Sequence, residues 1–270
     1  QIQYNDDLYP NPIVRGNFLW KDGVQDSSVV FKPDPQGRFR IAWMPPEELR
    51  NLKAEERGKR IAPNAELGVG GVDSYDLDAT VDGRGSKGAL HLYNKFHMQH
   101  PANMFVLEYA SRPPLAKIFY EDCLMAAFFY GYPLLIENNK YGIARHFESR
   151  GYDGYLMNRP GHLSSKNAKV NVKTKGIPSN SQDGIQSQAQ SIEAYIHDHV
   201  GMHRETGEYG KMYFNSTLED WIGFKINDRT KFDLTISSGL ALLGAQKAKP
   251  KKEPVKFDEK KFFRRYKPIG

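Results

Sequence analysis

The chain has 270 residues, of which 39% are hydrophobic and 26% are charged, a balance that excludes a disordered chain and indicates a folded globular protein. The sequence contains no run of 18 apolar residues, which excludes a helix that spans a membrane, and its polar start lacks the layout of a secretory signal. The single cysteine, Cys123, cannot form an internal disulfide and favours a reducing compartment.

The net charge of +6 is a property of the C-terminal end. Residues 246–270 contain ten Lys or Arg and three Asp or Glu, a net charge of +7, whereas the remaining residues contain 28 basic and 29 acidic side chains, a net charge of −1. We therefore expect residues 246–270 to form a basic flexible tail. Any binding of a polyanion by the body must use local patches or metal ions rather than global charge.

Residues 1–66 are predicted to be a peripheral N-terminal segment. Within it, a turn at residues 33–37 separates the Val-Val-Phe stretch at 29–31 from the Arg-Phe-Arg-Ile-Ala-Trp stretch at 38–43, and this pattern predicts a β-hairpin. A charged stretch at residues 47–56 predicts a short helix.

The compact domain is predicted to occupy residues 67–245. Its first half has three hairpin-like strands, then a helix, a strand, a second helix and another strand, over residues 67–72, 89–96, 104–109, 115–129, 133–136, 141–149 and 155–157. Its second half has a long polar loop, a helix, a strand and two more helices, over residues 159–181, 185–200 and 209–214 and from 216 and 233. This order predicts an α/β fold in which antiparallel hairpin strands and parallel crossover strands form a mixed sheet flanked by helices.

Three acidic residues occupy positions where ligands commonly bind. Asp73 and Glu137 each follow an apolar predicted strand, and the C-terminal ends of strands in an open α/β sheet form a crevice. Asp233 begins the last predicted helix, where the helix dipole favours a carboxylate. Carboxylates that share a small volume raise one another's pKa, and divalent cations relieve this repulsion. Ligation by oxygen alone suits Mg²⁺ or Mn²⁺ rather than zinc.

Each acidic residue also has a simpler interpretation. Asp73 could cap a turn, as Asp76 or Asp78 could equally well, and Asp233 alone is most simply a helix N-cap. Glu137 is the stronger candidate, because a carboxylate that ends a buried apolar strand needs an explanation. Spacing alone therefore proposes a metal site without establishing it.

The segments around these carboxylates resemble the nuclease half of the large terminase subunits of tailed bacteriophages, most closely those of crAss-like phages that infect Bacteroidetes. The resemblance covers residues 10–246 and is carried by residues 71–76, 108–113, 130–133, 135–142 and 232–242. It implies an RNase H-like mixed sheet. It also implies an endonuclease that cuts concatemeric double-stranded DNA with two divalent ions, Mg²⁺ or Mn²⁺. Two such ions, about 3.5–4 Å apart, activate a water and stabilise the leaving oxygen of a phosphodiester.

The resemblance also implies which residues act. The family's first-strand Asp falls on Asp73, its second acidic residue on Glu137 and its late-helix Asp on Asp233. Some members use another acidic residue shortly after the first, and Asp76 and Asp78 are both candidates for that metal ligand.

The family's N-terminal ATPase domain carries a phosphate-binding loop of the form G-x-x-x-x-G-K-[ST]. Residues 83–88 lack both the spacing and the hydroxyl of that loop, so we expect no ATP hydrolysis by this chain and an ATPase domain upstream of it. The resemblance implies four partners: double-stranded DNA, the portal protein of the procapsid, the small terminase subunit and that ATPase domain. It implies no membrane partner, and a location in the host bacterial cytoplasm, at the procapsid vertex, without secretion.

Several basic residues are expected on loops around the acidic crevice, where they would contact DNA phosphates. They are Lys87, Arg112, Lys140, Arg145, Lys173 and Lys175. The simpler interpretation of each is a solvated surface charge. The basic tail has two interpretations, a solubilising arm or a peptide that docks on DNA or on the portal.

Three functions remain open at this point. The first is a packaging endonuclease of low sequence specificity, and the second is a resolvase or transposase on the same RNase H-like fold. The third is a docking module for the portal or procapsid that has no cleavage activity. The three carboxylates, in the order that the family has them, favour the first.

Overall fold

A computed structural model of the protein describes residues 13–76, 87–96, 101–138, 140–160, 174–178, 182–200, 212–225 and 231–246. The strands are β1 (Val14–Trp20), β2 (Val29–Pro33), β3 (Phe39–Ile41), β4 (Ala54–Glu56), β5 (Lys59–Ile61), β6 (Gly68–Asp73), β7 (Gly88–Asn94), β8 (Met104–Ser111) and β9 (Leu134–Ile136). The α-helices are α1 (Ala116–Tyr130), α2 (Tyr141–Ser149), α3 (Gln182–His199), α4 (Asn215–Gly223) and α5 (Asp233–Ala245).

Seven strands form one mixed sheet in the order β2-β1-β3-β8-β7-β6-β9. The pair β6 and β9 is parallel, and the other neighbouring pairs are antiparallel. Strands β4 and β5 form a separate two-stranded sheet. The predicted α/β fold with a mixed sheet and flanking helices is thus confirmed at this level.

Helices pack on both faces of the sheet. Successive side chains of a strand point to opposite faces, so the cluster that each strand residue joins shows which helices lie on its face. Val72 and Leu90 belong to the hydrophobic cluster that contains the buried side chains of α1. Val69 and Tyr93, each three positions away on the same strands, belong to the cluster formed with α3, α4 and α5. The two faces therefore have separate cores, and α5 packs on the face of odd-numbered β6 residues.

The predicted hairpin between residues 29–31 and 38–43 is wrong, because β1 lies between β2 and β3 and pairs with both. The physical reason is the apolar surface of β1. Phe18 and Trp20 are buried against Phe129 and Phe128 of α1, with ring centroids 5.0 and 5.7 Å apart, and a two-stranded hairpin alone offers no such core. Through the pairing of β3 with β8, these strands continue the central sheet.

The helix predicted over residues 47–56 is also wrong. Only Glu47–Leu49 forms a short 3-10 turn, and β4 begins at Ala54. Between them Asn51 adopts a left-handed backbone, with φ of 55°, which ends any helix. Its side chain donates to the carbonyl of Val29 and accepts from the amide of Val29, at 3.0 and 2.8 Å. Asn51 thus forms hydrogen bonds with the backbone of the edge strand β2 instead of continuing a helix.

The remaining predictions have mixed outcomes. The strands predicted at 67–72, 89–96, 104–109 and 133–136 and the helices predicted at 115–129, 141–149, 185–200, from 216 and from 233 are confirmed within a few residues. Residues 155–157 form no strand, and only Leu156 makes an isolated bridge to Leu134, because the amides of Tyr155 and Leu156 donate to the carbonyls of Tyr152 and Asp153 in tight turns. Residues 212–214 lead into α4 and form no strand.

Some predictions fall outside the described residues. These are the turn at 82–86, residues 161–173 and 179–181 of the polar loop, residues 209–211 and the tail from 247 onward. Among the helices of the described ranges, none combines the length and the apolar character that crossing a membrane requires.

Candidate active site

Two buried carboxylates lie at the same edge of the sheet. Asp73 is the last residue of β6, and Glu137 directly follows β9, which runs parallel to β6 with Val72 beside Ile136. Parallel neighbours end at the same edge, so Asp73 and Glu137 occupy neighbouring positions there. Asp73 and Glu137 are only 2% and 3% exposed, and charged groups at that depth require compensation.

The third carboxylate reaches this edge because α5 packs unusually close to β6. A Cβ atom on Gly71 would lie 2.1 Å from the carbonyl oxygen of Ser237 and 2.2 Å from the amide nitrogen of Ala241, so only glycine allows this approach. A Cβ on Gly244 would meet Val69, which shows that α5 runs antiparallel to β6. The first residue of α5, Asp233, therefore lies at the same end of β6 as Asp73.

The carboxyl group of Asp233 is in an environment that disfavours its charge. Burial and the repulsion of Asp73 raise its pKa to about 6, although a hydrogen bond from the backbone amide of Lys87, 2.8 Å from Oδ2, acts in the opposite direction. The carboxylates therefore interact electrostatically, as expected for like charges that share a small volume.

A lysine supplies the positive charge inside this group. Lys140 Nζ lies 2.8 Å from Asp73 Oδ1, and the lysine side chain is 28% exposed. Burial alone would lower the pKa of Lys140, but the attraction of Asp73, Glu137 and Asp233 raises it above the usual value. The ammonium of Lys140 thus contacts Asp73 and is attracted by Glu137 and Asp233 as well.

Two further aspartates near these carboxylates cap helices. Asp76 Oδ1 accepts from the amide of Gly142 at 3.1 Å, in the first turn of α2, and from the hydroxyl of Tyr120 at 3.0 Å. Asp220 of α4 accepts from the amide and the hydroxyl of Thr235, both at 2.7 Å, in the first turn of α5. Both satisfy donors that a helix start leaves unpaired.

These contacts bear on the alternatives that the sequence left open. The simplest interpretation of Asp233, a helix N-cap, is wrong, because the N-cap position is Phe232 and Asp220 supplies the capping carboxylate. Asp76 has a capping function, and its role as an additional metal ligand stays a prediction. Asp78 lies outside the described residues.

The donor chemistry of Asp73, Glu137 and Asp233 fits a hard divalent cation, since carboxylate oxygens are the preferred ligands of Mg²⁺ and Mn²⁺. Their side chains do not form a complete set of metal ligands. Within the described ranges, there is no group of three or more His, Cys, Asp or Glu side chains that could hold a metal ion. Electrostatic interaction between charged groups acts over longer distances than metal coordination, and Lys140 contacts Asp73 directly.

Three of the basic candidates lie at this edge of the sheet. Lys87 is exposed and contacts Asp233 through its backbone amide, whereas Lys140 contacts Asp73 through its ammonium. The guanidinium of Arg112 lies 4.4 Å from the ring centroid of Tyr75, two residues after Asp73, an arrangement that a cation–π interaction stabilises.

The other basic candidates have different surroundings. Arg145 is exposed on α2. Lys175 donates to the carbonyl of Leu156 at 2.7 Å, and burial lowers its pKa, while the nearby charges that act on it are those of Asp153 and Lys59. Lys173 lies outside the described residues.

A buried polar network beneath α5 was missed by the sequence analysis. His91 of β7 is fully buried, and its two ring nitrogens lie 2.8 Å from the hydroxyls of Ser237 on α5 and Thr217 on α4. Glu108 of β8 is equally buried, accepts from Ser216 and pairs with Arg40 at 2.8 Å. The available signal was a polar residue in the middle of each apolar strand, since such residues are rarely buried without partners.

Comparison with known proteins assigns the chain to no family. No protein-family model matches the chain, and no curated protein matches it. The fold and the carboxylate group are therefore the basis for a functional proposal. They define a mixed α/β protein with three acidic side chains and one lysine at the carboxyl ends of two parallel strands.

Proposed function

We propose that the chain is a divalent-metal-dependent endodeoxyribonuclease, the nuclease domain of a tailed-phage large terminase subunit that cuts concatemeric double-stranded DNA when genome packaging starts and ends. One observation carries this proposal. Asp73, Glu137 and Asp233 are distant in the sequence, yet Asp73 ends β6, Glu137 follows the parallel strand β9, and Asp233 begins the helix that packs on β6. A purely structural role does not require three carboxylates at one end of a strand.

The sheet supports an RNase H-like assignment. We expected three antiparallel strands followed by a parallel crossover, and the central strands have the order β8-β7-β6-β9 with β6 and β9 parallel. Helix α1 makes the connection from β8 to β9. Fold alone does not imply function, so the proposal depends on the carboxylates rather than on the topology.

Asp73, Glu137 and Asp233 are the residues that would hold two divalent ions, Mg²⁺ or Mn²⁺. Bound there, the ions would supply an activated water and stabilise the leaving oxygen, which gives 5′-phosphate and 3′-hydroxyl ends. The surroundings of these three residues would prepare them to bind metal. Above pH 6 the Asp233 carboxyl is largely ionised, and burial of Asp73 and Glu137 keeps competing water from their oxygens.

The expected partners follow from the same assignment. Lys87 and Arg112 lie at the edge of the carboxylate group and would contact the DNA backbone. Double-stranded DNA, the portal protein of the procapsid, the small terminase subunit and an ATPase domain of the same polypeptide are the proposed partners.

The test is plasmid cleavage by the purified chain with Mn²⁺, Mg²⁺ or EDTA. We compare the wild type with Asp73→Asn, Glu137→Gln and Asp233→Asn, which keep the shape of each side chain and remove its charge. Each substitution should lower the cleavage rate by at least about 100-fold, because each removes a group that stabilises the reacting charges. Asp198→Asn is the matched control, since Asp198 is an exposed carboxylate of α3 that pairs with His197.

The alternatives give different results. A folded wild type that cuts with neither metal but binds the portal protein is a docking module. A strong preference for branched DNA over plasmid indicates a resolvase or transposase.

A further inference from the structure

The position of Lys140 has no explanation in the proposed cleavage reaction. A lysine that contacts DNA is expected on an exposed surface, but the ammonium of Lys140 lies 2.8 Å from Asp73 Oδ1, whose side chain is buried. Glu137 and Asp233 attract the same ammonium. Lys140 therefore holds the position that a cation would take on Asp73.

The backbone around Lys140 is fixed to the segment that follows β6. Lys140 is the N-cap residue of α2, and two residues later the amide of Gly142 donates to Asp76 Oδ1. The hydroxyl oxygen of Tyr120 lies 2.7 Å from the carbonyl oxygen of Tyr75 and 3.0 Å from Asp76 Oδ1, so its one proton is shared between these two acceptors. The residues after Asp73 and those after Lys140 are thus joined at a second point beside the ion pair.

The close packing at this second point requires glycine. A Cβ atom on Gly142 would lie 2.2 Å from the Tyr120 hydroxyl oxygen and 2.7 Å from Asp76 Oδ1. The backbone of Lys140 is consequently held at a set distance from Asp73, and the ion pair is built into the fold rather than a chance surface contact.

A second cation on Asp73 would have to lie close to this ammonium. Two like charges at such a distance, in a largely buried setting, repel each other strongly. The lysine side chain is 28% exposed and has a flexible four-carbon stem, so its charged end can move into solvent while its backbone stays in place.

We propose that Lys140 is a built-in counterion that competes with the divalent metal for Asp73, so that metal enters only when the Lys140–Asp73 ion pair opens. This inference rests on the proposed function, since it concerns regulation of the same site. It gives Asp73, whose side chain is buried, a positive partner supplied by the chain itself.

The first test is Mn²⁺ binding to the whole chain, measured by calorimetry at pH 7.5 for the wild type and Lys140→Met. Methionine keeps much of the length of the side chain and removes the charge, so we expect Mn²⁺ to bind about tenfold more tightly or better. Lys140→Arg retains the charge and should not tighten binding. Lys59→Met is the matched control, because Lys59 forms a 2.7 Å ion pair with Asp153 outside the carboxylate group.

A second measurement uses the wild type and so does not depend on whether Lys140→Met folds. Mg²⁺ is titrated into the chain labelled at its lysines, and the side-chain signals are followed by NMR. Mg²⁺ should shift or broaden the Lys140 signal, assigned from its absence in Lys140→Arg, and leave that of Lys59 unchanged. A Lys140 signal that does not respond while Mg²⁺ binds would overturn the inference.

The two proposals can fail separately. Metal-dependent cleavage by the wild type, with Mn²⁺ affinity unchanged or weaker in folded Lys140→Met, keeps the nuclease and removes the competing role of Lys140. Tighter Mn²⁺ binding by Lys140→Met, with no cleavage by the wild type, keeps the counterion and removes the nuclease. Absence of Mn²⁺ binding in every variant removes both.

Discussion

Asp233 has a carboxyl group whose surroundings favour the protonated form. Its pKa is raised to about 6 from the ordinary 3.8 by burial and by Asp73, so the folded state binds this proton more tightly than the unfolded state. The stability from this group is present below about pH 3.8 and is lost as the pH rises through 6. At neutral pH the ionised group therefore lowers the free energy of unfolding.

Asp233→Asn should accordingly stabilise the metal-free protein. In EDTA at pH 7.5 we expect the free energy of unfolding to rise by about 1–2 kcal/mol, a value reduced for the partial exposure of the group. The gain should disappear near pH 3.5. Urea unfolding at the two pH values measures both. Asp220→Ala is the contrasting variant, because loss of the α5 cap should destabilise the protein by about 1 kcal/mol; a destabilised Asp233→Asn at pH 7.5 would contradict the prediction.

His91 has the opposite pH dependence. Burial, and to a smaller extent the charge of Arg40, lower its pKa to about 3 from 6.5, so the folded state keeps the imidazole neutral. The stability that this provides is complete above pH 6.5 and is lost as the pH falls towards 3. Between pH 6.5 and 5 the free energy of unfolding should fall by about 1 kcal/mol per pH unit.

The measurement compares urea unfolding of the wild type and His91→Gln at pH 7, 6 and 5. Glutamine offers a donor and an acceptor to Ser237 and Thr217 but does not ionise, so the decline should be shallower in the variant. Other titrating groups are common to both proteins and cancel in the difference. Equal slopes for the two proteins would show that His91 does not resist protonation.

At the scale of elements, the contact between β6 and α5 sets the distance between two carboxylates. Gly71→Ala places a Cβ 2.1 Å from the Ser237 carbonyl oxygen, and the helix must move outward. We expect a loss of about 1–3 kcal/mol in the free energy of unfolding. In the metal-dependent cleavage assay we expect a lower rate, because Asp233 moves away from Asp73.

Gly239→Ala is the matched control for this prediction, since it also adds a methyl group at the packing surface of α5. There the nearest atoms belong to the side chains of Gln188 and Ile192, at 3.2 Å, which can shift more readily than a backbone. Unfolding curves and cleavage rates of the two variants are compared. An effect on Gly239→Ala as large as that on Gly71→Ala would contradict a specific role for the β6–α5 contact.

At the scale of the whole molecule, the charge is divided unevenly, with +7 in residues 246–270 and −1 in the rest. If the tail binds DNA, each phosphate that it neutralises contributes about 0.9 to the slope of log affinity against log salt concentration. Deletion of residues 247–270 should therefore weaken DNA binding at low salt and reduce this slope by about 3 or more.

Fluorescence anisotropy of labelled DNA at several salt concentrations measures the slope for the full chain and the truncated chain. The carboxylate group lies within the retained residues, so the folded truncated protein should keep its metal affinity. Equal slopes would assign the tail to a role other than DNA binding.

The sequence by itself determined the elements that local composition marks, as apolar runs bounded by glycine, proline or an acidic residue. Strand β6 and helices α1, α2 and α5 were predicted within a few residues, because such runs and their end signals are local properties of the chain. Asp73, Glu137 and Asp233 were also visible, since each stands at the end of an apolar strand or the start of an apolar helix.

Only the tertiary structure decided how these elements meet. It inserted β1 between β2 and β3, gave the capping of α2 and α5 to Asp76 and Asp220, and paired Lys140 with Asp73. These contacts join residues 67 apart for Lys140 and Asp73, and 146 apart for His91 and Ser237. Such pairings depend on how closely separate elements pack, as at Gly71, and no local pattern in the chain encodes that distance.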